Sequence, residues 1–205
     1  MNDFIQQFVQ QLLATSLLEW LAVLLAIAYL LLAIKESLWC WPAAFFSTGI
    51  YIYLFFDANL YMESFLNFYY LIMAIYGFQQ WNNKGVSEKR KSIIVWPLQK
   101  HVLFSFITSS LIFLSYYLLS NYTNQEFALL DSFTTWFAIL ATYMLTQKIL
   151  ENWLYWIIID ALAIYIFVSK GFALTAVLFF SYILLAIVGW RTWKKHYEQQ
   201  NVCSS

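Results

Sequence analysis

The run Asn152-Trp153-Leu154-Tyr155-Trp156-Ile157-Ile158-Ile159-Asp160 puts a carboxylate near the middle of an apolar stretch. Near the middle of a bilayer a carboxylate costs at least about 2.5–3.5 kcal/mol even on lenient insertion scales. It is retained where it faces a cavity, finds a partner or does work. Trp153, Trp156 and Asp160 are spaced i, i+3 and i+7, so they share one helix face over roughly 10 Å of depth. Two indole faces leading to an anion suit a desolvated cation, which the rings attract and the carboxylate neutralises. A protonated or hydrogen-bonded structural Asp is the alternative role for the same residue.

Glu63 and Asn67 lie one helical turn apart and offer an opposing polar wall, with Tyr70 on the same stripe and Gly77 further in. Asn67 brings both donor and acceptor to a polar ligand. Glu63 sits near a helix end, where a solvated carboxylate is equally natural. Ser47 and Thr48, with the run Tyr51, Tyr53 and Phe55, add polar and aromatic groups on another element. His101 and His196 stand at helix ends, so the sequence offers no buried bis-His haem or zinc cluster, and no cofactor or metal is expected. Neither GxxxxGK[ST], HExxH nor GxSxG is present, which excludes an ATP-driven pump for this chain by itself and leaves a membrane enzyme unsupported.

The elements that must position these residues follow from composition. Of 205 residues, 62% are hydrophobic, 21% aromatic and 11% charged, and only five are Gly and two Pro. Average soluble domains carry about 25% charged residues, so this chain cannot cover a water-facing surface, and it lacks the turn chemistry of a many-stranded β-protein. A polytopic helical membrane protein is expected, with a bilayer rather than a nucleic acid around it. Seven stretches reach the roughly 17–25 residues that a spanning helix needs: about 17–34, 39–56, 60–81, 102–119, 131–147, 153–169 and 172–189. Upstream, Phe4, Ile5, Phe8, Val9, Leu12 and Leu13 oppose Gln6, Gln7, Gln10 and Gln11, so 1–16 reads as an amphipathic helix in the interface. That segment has no basic n-region and is not a cleavable signal. With the N-terminus outside and the C-terminus in the cytoplasm, Lys170 is the only one of the 11 Lys and Arg residues in an outer segment. The loop from Asn82 to His101, with Lys84, Lys89, Arg90 and Lys91, reads as a positive-inside anchor. Cys40 and Cys203 form no disulfide framework. Trp39, Trp41, Trp81, Trp153 and Trp193 read as an interfacial aromatic belt.

Internal correspondences organise the spans. Lys35 with Trp39 matches Lys148 with Trp153, and Ile50 to Tyr53 matches Ile164 to Phe167. Gly77 with Trp81 matches Gly189 with Trp193, and Glu19 matches Asp131. The pattern predicts two parallel three-helix repeats, 17–81 and 131–193, joined by a linker helix at 102–119. That is a 3+1+3, SWEET-like arrangement of seven transmembrane helices, of a kind used by small-solute transporters.

The segment Asn152 to Asp160 resembles the WxxWxxx[N/D] motif of the Pnu-type vitamin transporter family, whose members carry nicotinamide riboside or thiamine. The run Ile75-Tyr76-Gly77-Phe78-Gln79-Gln80-Trp81 is similar to that family's YGWxxW ending of span three, with Phe78 where the family usually has Trp. The resemblance extends from the first span to Trp193. It implies facilitated uptake across the bacterial inner membrane, trapping by a cytoplasmic vitamin kinase, and a homotrimer. It also implies substrate binding by Trp153, Trp156 and Asp160, with Asn152 beside them and Asn67 where the family has an amide. Asp rather than Asn at the last motif position favours thiamine over nicotinamide riboside. A vitamin-binding membrane subunit of an ATP-driven importer is the rival reading.

Overall fold

Helices make up most of the described residues, in keeping with the scarcity of Gly and Pro. A computed structural model describes residues 2–57, 61–82, 92–122 and 127–202. The helices are α1 (Asn2–Ala14), α2 (Leu17–Ile34), α3 (Cys40–Asp57), α4 (Tyr61–Asn82), α5 (Leu98–Tyr122), α6 (Ala128–Thr146), α7 (Asn152–Ser169) and α8 (Ala173–Val202). Local chemistry sets their ends. The Glu19 amide donates to Ser16 Oγ at 3.2 Å, capping α2, and Glu19 itself suits the positive end of the helix dipole. Glu36 and Lys148, with φ of 51° and 56°, turn the chain between α2 and α3 and between α6 and α7. The basic residues Lys84, Lys89, Arg90 and Lys91, and Cys203, lie outside the described residues.

The expectation of seven transmembrane helices in a 3+1+3, SWEET-like arrangement is corrected here. The described residues form eight helices, and five of them, within α2, α5, α6, α7 and α8, are long and apolar enough to cross a membrane. Helices α3 and α4 form where spans were expected, but their composition is less apolar. α3 holds Trp41, Pro42, Ser47, Thr48, Tyr51 and Tyr53 and ends on Asp57, while α4 holds Glu63, Ser64, Asn67, Gln79, Gln80 and Asn82. Aromatic and amide side chains of this kind favour protein neighbours or an interface over acyl chains.

Packing runs in sequence through α2, α3 and α4 and again through α6, α7 and α8. α4 meets α6, α2 meets α8, α5 rests on α6, and α1 lies against α8. Gln11 fastens α1 to the turn before α8: its Nε2 donates to the Gly171 carbonyl at 2.8 Å, and its Oε1 accepts from the Leu174 amide at 2.9 Å.

One end of the bundle is built from tryptophan. Trp41 meets Trp81 edge-on at 5.1 Å between ring centroids, Trp81 meets Trp193 at 6.1 Å, and Trp193 meets Trp153 edge-on at 5.4 Å. All four indoles are buried, whereas Trp39 is 73% exposed, so four of the five residues read as an interfacial belt form core instead. Glycine makes this approach possible: a Cβ on Gly77 would collide with the Trp41 ring, and one on Gly189 would reach within 2.7 Å of the Trp153 ring. The structure also shifts the register of the correspondences. Glu36 and Lys148, the two left-handed turn residues, are 112 residues apart. The same separation relates Trp41 to Trp153, Gly77 to Gly189 and Trp81 to Trp193. Trp41, not Trp39, is therefore the counterpart of Trp153.

Candidate functional site

Asp160 lies on α7 with 3% of its surface exposed, and among the described residues it has no hydrogen bond and no ion pair. Leaving a carboxylate buried and unpaired costs several kcal/mol unless something compensates it. Its surroundings are aromatic hydroxyls: Tyr70 on α4 and Tyr182 on α8 are both within electrostatic reach of the carboxylate. Tyr29 on α2 neighbours Tyr70, and Tyr51 on α3 neighbours Tyr182. Tyrosines from α4 and α8 thus flank one acidic residue, with tyrosines of α2 and α3 next to them.

Trp156, half-buried, stands one helical turn from Asp160 and packs with Tyr70, Phe137 and Tyr155 against Ala138, Ala141 and Ile159. That places an indole, a carboxylate and phenol hydroxyls at the junction of α4, α6 and α7. Such a set can receive a planar cation, with ring faces for its π-system and an anion for its charge.

The other residues picked out by their spacing are placed elsewhere. Trp153 is buried to 1% exposure between Gly189 and Trp193, and its Nε1 has no hydrogen-bond partner. Trp41 Nε1, at the corresponding place, has none either. Each unsatisfied indole thus lies in a Trp–Gly contact, Trp153 against Gly189 and Trp41 against Gly77. Asn152 is fully buried, its Nδ2 donates to the Ile149 carbonyl at 2.6 Å, and its Oδ1 has no partner. Ser47 Oγ donates to the Ala22 carbonyl at 2.9 Å, which ties α3 to α2. Asn67 Nδ2 donates to the Glu63 carbonyl on its own helix at 2.9 Å, and Glu63 is exposed. Helix α7 thus brings Trp156 and Asp160 together with Tyr70, while Trp153, Asn152 and Ser47 are buried in the helix packing and Asn67 bonds to the Glu63 carbonyl on its own helix.

Sequence periodicity does not single out Tyr29, Tyr182 or Gln147. Gln147 Nε2 donates to the Tyr76 hydroxyl at 3.0 Å, joining the end of α6 to α4. Only the fold identifies these residues: Tyr29 and Tyr182 lie among apolar neighbours in sequence, and Gln147 sits in a polar turn between Thr146 and Lys148.

The family model described as nicotinamide mononucleotide transporter matches residues 16–195. The nicotinamide riboside transporter PnuC of Escherichia coli K12 is 24% identical over 208 residues, covering 86% of this chain and 85% of its own length, and the PnuC of Shigella flexneri matches to the same extent. A crystal structure of the vitamin B3 transporter PnuC superposes with a TM-score of 0.75 at 18% identity, covering 96% of this chain and 89% of that one.

Proposed function

On the premise that this chain belongs to the nicotinamide mononucleotide transporter family, as a multi-pass inner-membrane transporter and not an enzyme, we propose that it carries a heteroaromatic, cationic B vitamin. The observation that carries the reading is the buried Asp160 carboxylate, unpaired among the described residues and one turn from Trp156. A carboxylate held that way is offset by a ligand that brings the missing positive charge.

Thiamine fits first. Its thiazolium supplies a fixed charge for Asp160, and its aminopyrimidine supplies a donor for the second carboxylate oxygen. Nicotinamide riboside is the second reading, favoured by the names of the relatives; its pyridinium carries the same charge, while its ribose diol gains less from a full anion. The passage is facilitated diffusion, and phosphorylation by a cytoplasmic kinase retains the vitamin.

Purified protein in liposomes tests the reading. Labelled thiamine should equilibrate across the bilayer without ATP or an ion gradient, and thiamine should bind more tightly than nicotinamide riboside or riboflavin. Binding without flux would favour a subunit of an ATP-driven importer. Tighter binding of nicotinamide riboside would reverse the substrate order, and neutral riboflavin binding best would remove the argument from charge.

A further inference from the structure

The tryptophan-rich end of the bundle is cross-braced between its two helix groups in a reciprocal way. Trp81 on α4 donates from Nε1 to the Thr146 carbonyl at 3.2 Å, just before the α6–α7 turn. Trp193 on α8 donates from Nε1 to the Ala33 and Ile34 carbonyls, each at 3.2 Å, just before the α2–α3 turn. Between the two turns, Lys148 Nζ pairs with Glu36 Oε2 at 2.7 Å and stands 4.8 Å from the Trp81 ring centre. Glu36 Oε1 meets His196 Nδ1 at 2.9 Å. Lys148 is 4% exposed, whereas Glu36 also borders an open hollow of about 330 Å³ lined with His196, Gln199 and Gln200.

At the opposite end the described ion pair, Lys170 with Asp131 at 3.7 Å, joins the α7–α8 turn to α6 within one group. The charged contact that crosses between the groups is therefore concentrated at the tryptophan end. Both partners occupy strained left-handed turns, a conformation that non-glycine residues hold where the surroundings over-determine it.

We propose that Glu36 and Lys148 form the latch that closes this end of the transport path, with the Trp81 and Trp193 indoles as the braces it locks. A solute can leave here only when the α2–α3 and α6–α7 turns separate. Separation breaks the ion pair and the indole-to-carbonyl bonds together. One discrete closed arrangement thus gives way to an open one, as packed interfaces tend to do.

Cys40 reports on the latch. It is fully buried at the first residue of α3, four residues beyond Glu36, and is within electrostatic reach of Lys148. With Cys203→Ser making Cys40 the sole thiol, N-ethylmaleimide labelling of the purified full chain is timed by mass spectrometry. Labelling should be slow in that parent and about tenfold faster in Glu36→Gln and in Lys148→Gln, the factor that about 1.4 kcal/mol of lost closure gives. Asp131→Asn, at the far end, should label at the parental rate. Should Glu36→Gln fail to elute as a single folded species, Glu36→Asp keeps the charge, shortens its reach and should shift the rate in the same direction.

Parental labelling in the folded Glu36 and Lys148 variants would overturn the latch, as would equal acceleration by Asp131→Asn. The latch rests on the chain being a carrier, but the labelling needs no vitamin. Its failure would leave the substrate reading standing.

Discussion

Replacing Asp160 with Asn removes one charge from a buried site with little change in volume, so it isolates the electrostatic part of vitamin binding. Asp160 has no ion-pair or hydrogen-bond partner among the described residues, and its exposure is 3%. A bound cation would therefore favour its charged form. Charge-assisted contacts of this kind contribute on the order of 2–3 kcal/mol, which is roughly a 30–150-fold loss of affinity for thiamine. The empty protein should be as stable as the parent or more so, because a neutral amide is cheaper to bury than a carboxylate. Isothermal titration of both proteins with thiamine and with an uncharged isostere separates the terms. The isostere should bind the two proteins about equally. A variant that binds thiamine unchanged, or loses thiamine and the isostere to the same degree, would refute the pairing of Asp160 with a cationic ring.

Trp156→Ala should weaken thiamine binding by about 1–2 kcal/mol in the same titration, through lost ring contact and cation–π attraction. Trp153→Ala should lower thermal stability by about 3–5 kcal/mol, the cost of emptying a fully buried indole site, and a Trp153 variant that is stable but unable to bind would refute its assignment to packing. Gly77→Ala and Gly189→Ala should each destabilise by about 1–3 kcal/mol through overpacking, Gly77 more because its approach to Trp41 is closer, as thermal denaturation in detergent would read. Gln11→Leu should free α1 from the α7–α8 turn at a cost of about 1–3 kcal/mol; unchanged protease resistance near residue 11 would argue against that anchor.

What could be read from the sequence was whatever depends on a residue and its near neighbours. Asp160 announces itself because one carboxylate in an apolar run has few affordable explanations, and the structure buries it. Helix α2 was legible for the same local reason, since 18 apolar-rich residues run from Leu17 to Ile34. The interior of the chain was harder. Runs 39–56 and 60–81 have the length of spans, but tyrosines, amides and hydroxyls distribute their polarity, so length alone overcounted the apolar spans. The choice between Trp39 and Trp41 depends on which indole meets Gly77, a contact between α3 and α4 that no local pattern contains. The bond from Ser47 to the Ala22 carbonyl, 25 residues away, is likewise a contact that no local pattern contains.

The motif on α7 divides along the same line between local pattern and tertiary contact. Trp153, Trp156 and Asp160 share a helical face, and spacing alone gives all three one role. Depth separates them. Trp153 is at the crowded end, where Gly189 admits its ring against Trp193, while Trp156 and Asp160 lie further along the helix among Tyr70 and the small residues Ala138 and Ala141. A single helix therefore couples the braced end of the bundle to the acidic centre. Trp153 in turn abuts Trp193, whose indole holds the α2–α3 turn through the Ala33 and Ile34 carbonyls. The two tryptophans of the motif thus differ in place, Trp156 one turn from the buried carboxylate and Trp153 within the tryptophan-braced end.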